Sequence, residues 1–188
     1  MARTIGSTAE ATQQRILEAA EDLFAERGYA GTSIRDIAER LSMTKAALYY
    51  HFPGKLDVLA ALVEPWLSEI DQLAAWAEIQ RPLDRRQALR RMIAVLAAPG
   101  PTFAILAGDP SATHETAARL NVHARVERLE HSLAGDDPAD LLAVRCALGA
   151  VRGGILNTRF RRGATLTADE LDAVLVAGLA AWDAAGKR

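Results

Sequence analysis

The sequence predicts an all-α protein of about nine helices: an amino-terminal three-helix domain built on a helix-turn-helix, residues 1–55, followed by a larger helical domain, residues 56–188. Three observations carry this. Beyond residue 63 the apolar residues recur with helical periodicity and never alternate as a strand would, and the pattern breaks at Pro65, Arg81-Pro82, Pro99-Gly100-Pro101, Gly108-Asp109-Pro110, Gly135-Asp136-Asp137-Pro138 and Arg162-Gly163. Residues 32–55 hold two short helical stripes, each preceded by a hydroxyl side chain, too close in sequence to be anything but a helix-turn-helix. Ala173 to Trp182 is ten residues without a charge, so this helix is apolar all round and must be buried on more than one side.

In the first stripe Thr32 or Ser33 can cap a helix whose apolar residues Ile34, Ile37, Ala38 and Leu41 fall at i, i+3, i+4 and i+7. Ser42 and Met43 form the turn. Thr44 caps the second helix, and Met43 stands five residues before Leu48, the spacing of a hydrophobic staple. Leu48 and Phe52 face inward, which turns Lys45, Ala46, Tyr49 and Tyr50 outward. Pro53-Gly54 stops this helix, and Lys55 opens the next with its ammonium near the same surface.

The outward chemistry suits duplex DNA. Residues 1–55 balance seven basic against seven acidic groups, yet from Arg40 to Leu56 the charged side chains are Arg40, Lys45 and Lys55, with titratable His51. Glu10, Glu18, Glu21, Asp22 and Glu26 lie on the preceding helix. Small Ala46 and Ala47 let the backbone approach base edges and offer methyls to thymine, while Tyr49 and Lys55 reach for phosphate oxygens. The bland alternative is a solvated αα-hairpin. Two capped helices with so short a turn favour the DNA-docking reading.

The run Gly28-Tyr29, Thr32, Ile37-Ala38, Leu41, Leu48-Tyr49-Tyr50-His51-Phe52 and Lys55 resembles the DNA-binding domain of the tetracycline-repressor (TetR) family, over residues 10–63. The resemblance implies a first helix from Ala9 to Glu26 that supports the motif with Ile16, Leu17, Ala20, Leu23 and Phe24. It implies phosphate contacts at Thr32 or Ser33, Tyr49, His51 and Lys55, and base readout at Lys45, Ala46 and Tyr50; with Thr44 at the helix start these nine residues form the expected DNA-binding set. Ser42 departs from the glycine of many relatives, and a non-glycine there would strain the turn. Pro65 can end the fourth helix or kink one long helix from Lys55 to Ile79; the resemblance favours the kinked helix.

Helices expected near 65–79, 84–97, 101–107 and 112–134 supply aromatic and flexible apolar side chains able to line a ligand cavity. The expected ligand-binding set is Trp66, Ile70, Met92, Leu96, Phe103, Leu120 and His123, although each alone also reads as plain core. That a cavity exists is implied by the resemblance rather than by these residues. His123, Glu127 and His131 share one helix face at i, i+4 and i+8, but that face equally suits solvent exposure, and no metal is expected.

The helix from Pro138 to Phe160 carries Ala143, Ala147, Ala150 and Gly154 at i, i+4, i+7 and i+11, a stripe on which another helix can lie close. With the apolar helix after it, in the segments 138–160 and 167–185, each subunit would contribute two helices to a four-helix homodimer interface. A two-fold dimer presents two recognition helices to successive major grooves and demands a pseudo-palindromic operator.

A net charge of −2 hides the local basic stretch and is no nucleic-acid signature by itself. The single cysteine, Cys146, excludes an intramolecular disulfide, suits a reducing cytoplasm and reads as a buried structural thiol. No signal peptide or membrane-length apolar run is apparent, so the expected location is cytoplasmic, with no membrane partner. Neither a glycine-flanked nucleophilic serine nor a phosphate-cradling glycine loop is present, and neither an enzyme nor a cofactor is expected. The expectation is therefore a dimeric transcriptional repressor, released from DNA by a small apolar effector. The rival is a small-molecule binding protein whose helix-turn-helix is vestigial.

Overall fold

The computed structural model describes residues 5–98, 109–135, 137–162 and 165–185, and among these every regular element is an α-helix. In chain order they are α1 (Ile5–Arg27), α2 (Ile34–Arg40), α3 (Lys45–His51), α4 (Lys55–Ile79), α5 (Arg85–Ala97), α6 (Pro110–Arg119), α7 (Val122–Ala134), α8 (Pro138–Arg162) and α9 (Ala168–Ala185). The chain divides into two compact units, one of residues 1–65 with 101–121, the other of 66–100 with 122–188. The expected helix at 101–107, with Phe103 and Leu106, lies outside the described residues.

In the first unit, Ile16, Ala20, Leu23 and Phe24 of α1 are buried together with Ile34, Ile37, Ala38, Leu48 and Phe52, so the inward faces read from the periodicity are the observed ones. α1 stops at Gly28, whose φ of 75° lets its N–H return to the Phe24 carbonyl at 3.0 Å. Ser33, rather than Thr32, caps α2: its hydroxyl accepts from the Asp36 N–H, while the Asp36 carboxylate accepts from the Ser33 N–H, a complete capping box. Ser42 takes the left-handed turn at φ 53°, and Thr44 caps α3 by accepting from the Ala47 N–H at 3.1 Å. α4 then runs unbroken through Pro65, as the long-helix reading has it.

The stretch expected as one helix from 112 to 134 is two. α6 ends where the Leu120 N–H meets the Thr116 carbonyl, Asn121 turns at φ 50°, and α7 begins at Val122. Asparagine enters the left-handed region at low cost, so the break needs neither glycine nor proline and leaves no mark in the periodicity.

In the second unit α8 and α9 pack on each other and on α5. Ala143, Ala147, Val151 and Ile155 of α8 are buried with Leu175 and Trp182 of α9 and Leu89 of α5. A Cβ added to Gly154 would stand 2.8 Å from the Val174 side chain, and one on Gly178 would stand 2.8 Å from that of Val151. The small-residue stripe therefore seats the neighbouring helix of the same chain, and Gly178 and Leu175 belong to the interior of one subunit. Cys146 is exposed, against the expectation of a buried thiol, because it lies one residue off the stripe that α9 covers. Ion pairs tie α7 to α4 through Arg125–Asp71 and Arg128–Glu78, both at 2.9 Å, and to α8 through Arg145–Glu130 at 2.7 Å.

Candidate nucleic-acid interface

The outer face of α3 is open. Lys45, Ala46 and Ala47 are exposed, Tyr49 is 49 % and Tyr50 84 % exposed, and the half-buried His51 ring meets the Tyr50 ring edge-on at 5.3 Å. Tyrosine at such exposure is an unfavourable place for a large apolar ring unless a partner covers it. The Thr44 hydroxyl accepts from the Ala47 N–H and keeps its proton to donate outward, as a phosphate contact requires.

The cations around this face are not equally free. Arg40 is held by Glu26 at 2.8 Å and Arg35 by Glu39 at 2.6 Å. The hydrogen bond from Arg40 holds the Glu26 carboxyl below its ordinary range, so both charges persist as a pair and their field is largely cancelled. Among the described residues Lys45 is the cation of this face without a partner.

Two members of the expected set face the other way. Thr32 is 2 % exposed and its hydroxyl donates to the carbonyls of Leu23 and Gly28, which stitches the α1–α2 turn. Lys55 donates to the carbonyls of Tyr29 at 2.8 Å and Thr32 at 2.9 Å, with its ammonium 4.0 Å from the Tyr29 ring centroid. A lysine at a helix start reads locally as a surface cation, but here it satisfies the carbonyls of a turn 23 and 26 residues away. Ser33 is exposed, yet its hydroxyl proton goes to Asp36. The set thus gathers on one surface as Thr44, Lys45, Ala46, Tyr49 and Tyr50, with His51 at its edge.

Sequence reasoning missed α6, which returns to this unit. The Tyr29 phenol donates to Glu115 at 2.6 Å, the Ala30 N–H donates to the Asp109 carboxylate at 3.1 Å, and Arg119 pairs with Asp57. No local pattern announces contacts 62 to 86 residues apart.

The expected ligand-binding residues do not frame an open cavity. Ile70, Met92 and Leu96 are buried, Trp66 is half-buried, Leu120 is the half-buried C-cap of α6, and His123 is exposed or nearly so. A groove of about 560 Å³ in the second unit is lined instead by polar groups, chiefly Glu78, Arg81, Glu127, Arg128, His131 and Ser132. Its arginines are already engaged, Arg128 by Glu78 and Arg81 by the carbonyls of Ala77, Gln80 and Ser132. Among the described residues no group of His, Cys, Asp and Glu is arranged to hold a metal ion, and no helix is long and apolar enough to cross a membrane.

A capped helix-turn-helix with an exposed aromatic and cationic recognition face, on an all-helical chain, defines the helix-turn-helix class of bacterial regulators. Residues 16–62 match the family described as "Bacterial regulatory proteins, tetR family". Over 93 residues the chain is 36 % identical to the probable HTH-type transcriptional regulator ArpR of Pseudomonas putida, and 34 % identical to the HTH-type transcriptional regulator TtgR of another strain of Pseudomonas putida; each match covers 50 % of this chain and 44 % of the relative. The chain thus spans less than half the length of these curated relatives. Among solved structures, a SmeT–triclosan complex superposes with a TM-score of 0.60 at 26 % identity, over 93 % of this chain and 90 % of that one. A TetR family transcriptional regulator, PfmR of Thermus thermophilus, shares the fold with a TM-score of 0.58 at 24 % identity, over 90 % of this chain and 97 % of that one. The chain belongs to the TetR family of regulators.

Proposed function

We propose that the protein is a homodimeric, ligand-responsive transcriptional repressor that binds a pseudo-palindromic operator in the cytoplasm. The observation that carries this is the open face of α3 on a tetR-type DNA-binding domain: Lys45, Ala46 and Tyr50 aimed at base edges, Thr44, Tyr49 and His51 at flanking phosphates. A relative of 42 % identity over 74 residues, Rv3405c of Mycobacterium tuberculosis, is named a transcriptional repressor, which favours repression over activation. We assign DNA binding to residues 1–55 and ligand binding with dimerisation to residues 56–188.

Dimerisation is assigned to the outer faces of α8 and α9, within 138–160 and 167–185. Leu142 on α8 and Val176 on α9 are 58 % and 60 % exposed, and Cys146, Gly149, Ala173, Ala177 and Ala180 are exposed on the same two helices. Two such pairs make a four-helix interface with little polar surface to desolvate. The effector is assigned as a small, largely apolar molecule received among Trp66, Ile70, Met92 and Leu96, where Met92 can repack around a guest. The structural relative bound to triclosan is in keeping with such a guest.

The mechanism is one of linked equilibria. An effector that binds better to the conformation poor in DNA affinity draws the population there, and operator weakens effector by the factor by which effector weakens operator. Selection of bound sequences from random duplex DNA tests the central reading. A recovered palindrome supports it; a chain with no salt-dependent duplex affinity, binding small apolar molecules only, is the vestigial-motif protein instead.

A further inference from the structure

After leaving the helix-turn-helix the chain returns to it with α6, and the return is made by one acidic helix start. The Asp109 carboxylate has two jobs. Its Oδ1 accepts from the N–H of Ser111 at 2.9 Å and of Ala112 at 3.4 Å, which caps α6, while its Oδ2 accepts from the Ala30 N–H at 3.1 Å in the α1–α2 turn. Burial alone would raise this carboxyl, but the N–H bonds, Ala30 foremost, outweigh it and hold the group below the ordinary carboxylate range. Gly28 sits so near that a Cβ there would stand 3.3 Å from the same Oδ2.

Further along α6, Glu115 takes the proton of the Tyr29 phenol at 2.6 Å. Tyr29 is 1 % exposed, its ring packs edge-on against Phe24 at 5.3 Å, and Lys55 of α4 lies over its face while donating to its carbonyl. Burial, and then the bond to Glu115, raise the phenol far above its ordinary range, so the hydroxyl stays a donor at every working pH. Arg119 at the far end of α6 pairs with Asp57, two residues beyond Lys55. The contacts form a closed circuit: α6 to the α1–α2 turn, the turn to Lys55, α4 to Arg119 and back to α6. The turn inside this circuit carries Ser33, the cap of α2, and α2 reaches α3 through only Leu41 to Thr44.

We propose that Asp109 and Glu115 are positioning residues for DNA binding: they clasp the α1–α2 turn so that α2 and α3 are held ready for the groove, and letting go of α6 lowers DNA affinity without removing any DNA contact. This rests on the DNA-binding reading above and adds its point of regulation. The chain passes from this clasp through Asn121 directly into α7, so displacement of α6 is the route by which an event elsewhere in the chain reaches the recognition face.

The test uses full-length Tyr29→Phe, Glu115→Ala, Glu115→Gln and the Tyr29→Phe/Glu115→Ala double variant. Hydrogen exchange of the free protein reads the clasp through the Ala30 amide, whose partner is Asp109. Protection should fall about tenfold in Tyr29→Phe and in Glu115→Ala, no further in the double variant, and should persist in Glu115→Gln, which keeps the acceptor. Affinity for a palindromic duplex recovered by selection should fall in the same variants by about the same factor, with the salt slope unchanged because no phosphate contact is lost. Unchanged Ala30 protection overturns the clasp. Lost protection with wild-type DNA affinity, or a reduced salt slope, overturns its positioning role. A wild-type chain without duplex affinity removes the DNA-binding reading itself, and is distinguishable because Ala30 exchange is read without DNA.

Discussion

Replacing Lys55 by methionine separates two jobs that a lysine at this position can hold. The aliphatic stem stays and the ammonium goes, so the carbonyls of Tyr29 and Thr32 lose donors at 2.8 and 2.9 Å and the Tyr29 ring loses its cation at 4.0 Å. A hydrogen bond to a charged group contributes about 1.5–3 kcal/mol, and a cation over an exposed ring about 0.5–1 kcal/mol. The site is half-buried, so water replaces part of what is lost. A net destabilisation of about 2–3 kcal/mol remains, and at roughly 2–4 °C per kcal/mol for a chain of this size it lowers Tm by about 4–12 °C. Thermal unfolding followed by far-ultraviolet circular dichroism measures this, and duplex titrations at several salt concentrations measure the rest. A lysine used only on phosphate predicts the opposite pair of results: Tm unmoved and a salt slope smaller by about one. That pair would refute the assignment of Lys55 to the turn.

Three further outcomes are expected. Ser42→Gly relieves a left-handed residue that costs about 1–2 kcal/mol and adds about 0.5–1 kcal/mol of unfolded-chain entropy, so Tm should rise by about 1–4 °C; a fall would show that the Ser42 side chain contributes more than its strain. Leu142→Glu with Val176→Glu should give a helical monomer by sedimentation, whereas Gly178→Glu, with Val151 already at 2.8 Å, should lose helix content; a double variant that stays dimeric places the interface elsewhere. Lys45→Ala should relax preference at one base position, while Tyr49→Phe weakens every duplex alike; a uniform loss for Lys45→Ala would move it to the phosphate set.

The helix-turn-helix was legible because its signals are local. Ser33 with Asp36, Thr44 with the Ala47 N–H, and Leu48 with Phe52 are all separated by three or four residues, the range over which helix geometry alone decides what meets what. The exposed Lys45, Tyr49 and Tyr50 followed from the same periodicity. The long α4 was readable as well, but only as one of two ways past Pro65.

Helical class, caps, inward stripes and recognition face could all be read along the chain, since each depends on backbone periodicity and on groups a turn apart. It took the folded units to assign Lys55 and Thr32 to the α1–α2 turn, α6 to the DNA-binding helices, and the Ala143, Ala147 and Gly154 stripe to α9 of the same chain. The physical reason is common to all three. An unpaired carbonyl, a buried phenol or a gap beside a glycine takes whichever partner the packed chain brings within reach, and for Tyr29 that partner is Glu115, 86 residues away. Such a pairing is settled by loop closure and packing over the whole unit, which no window of the sequence contains.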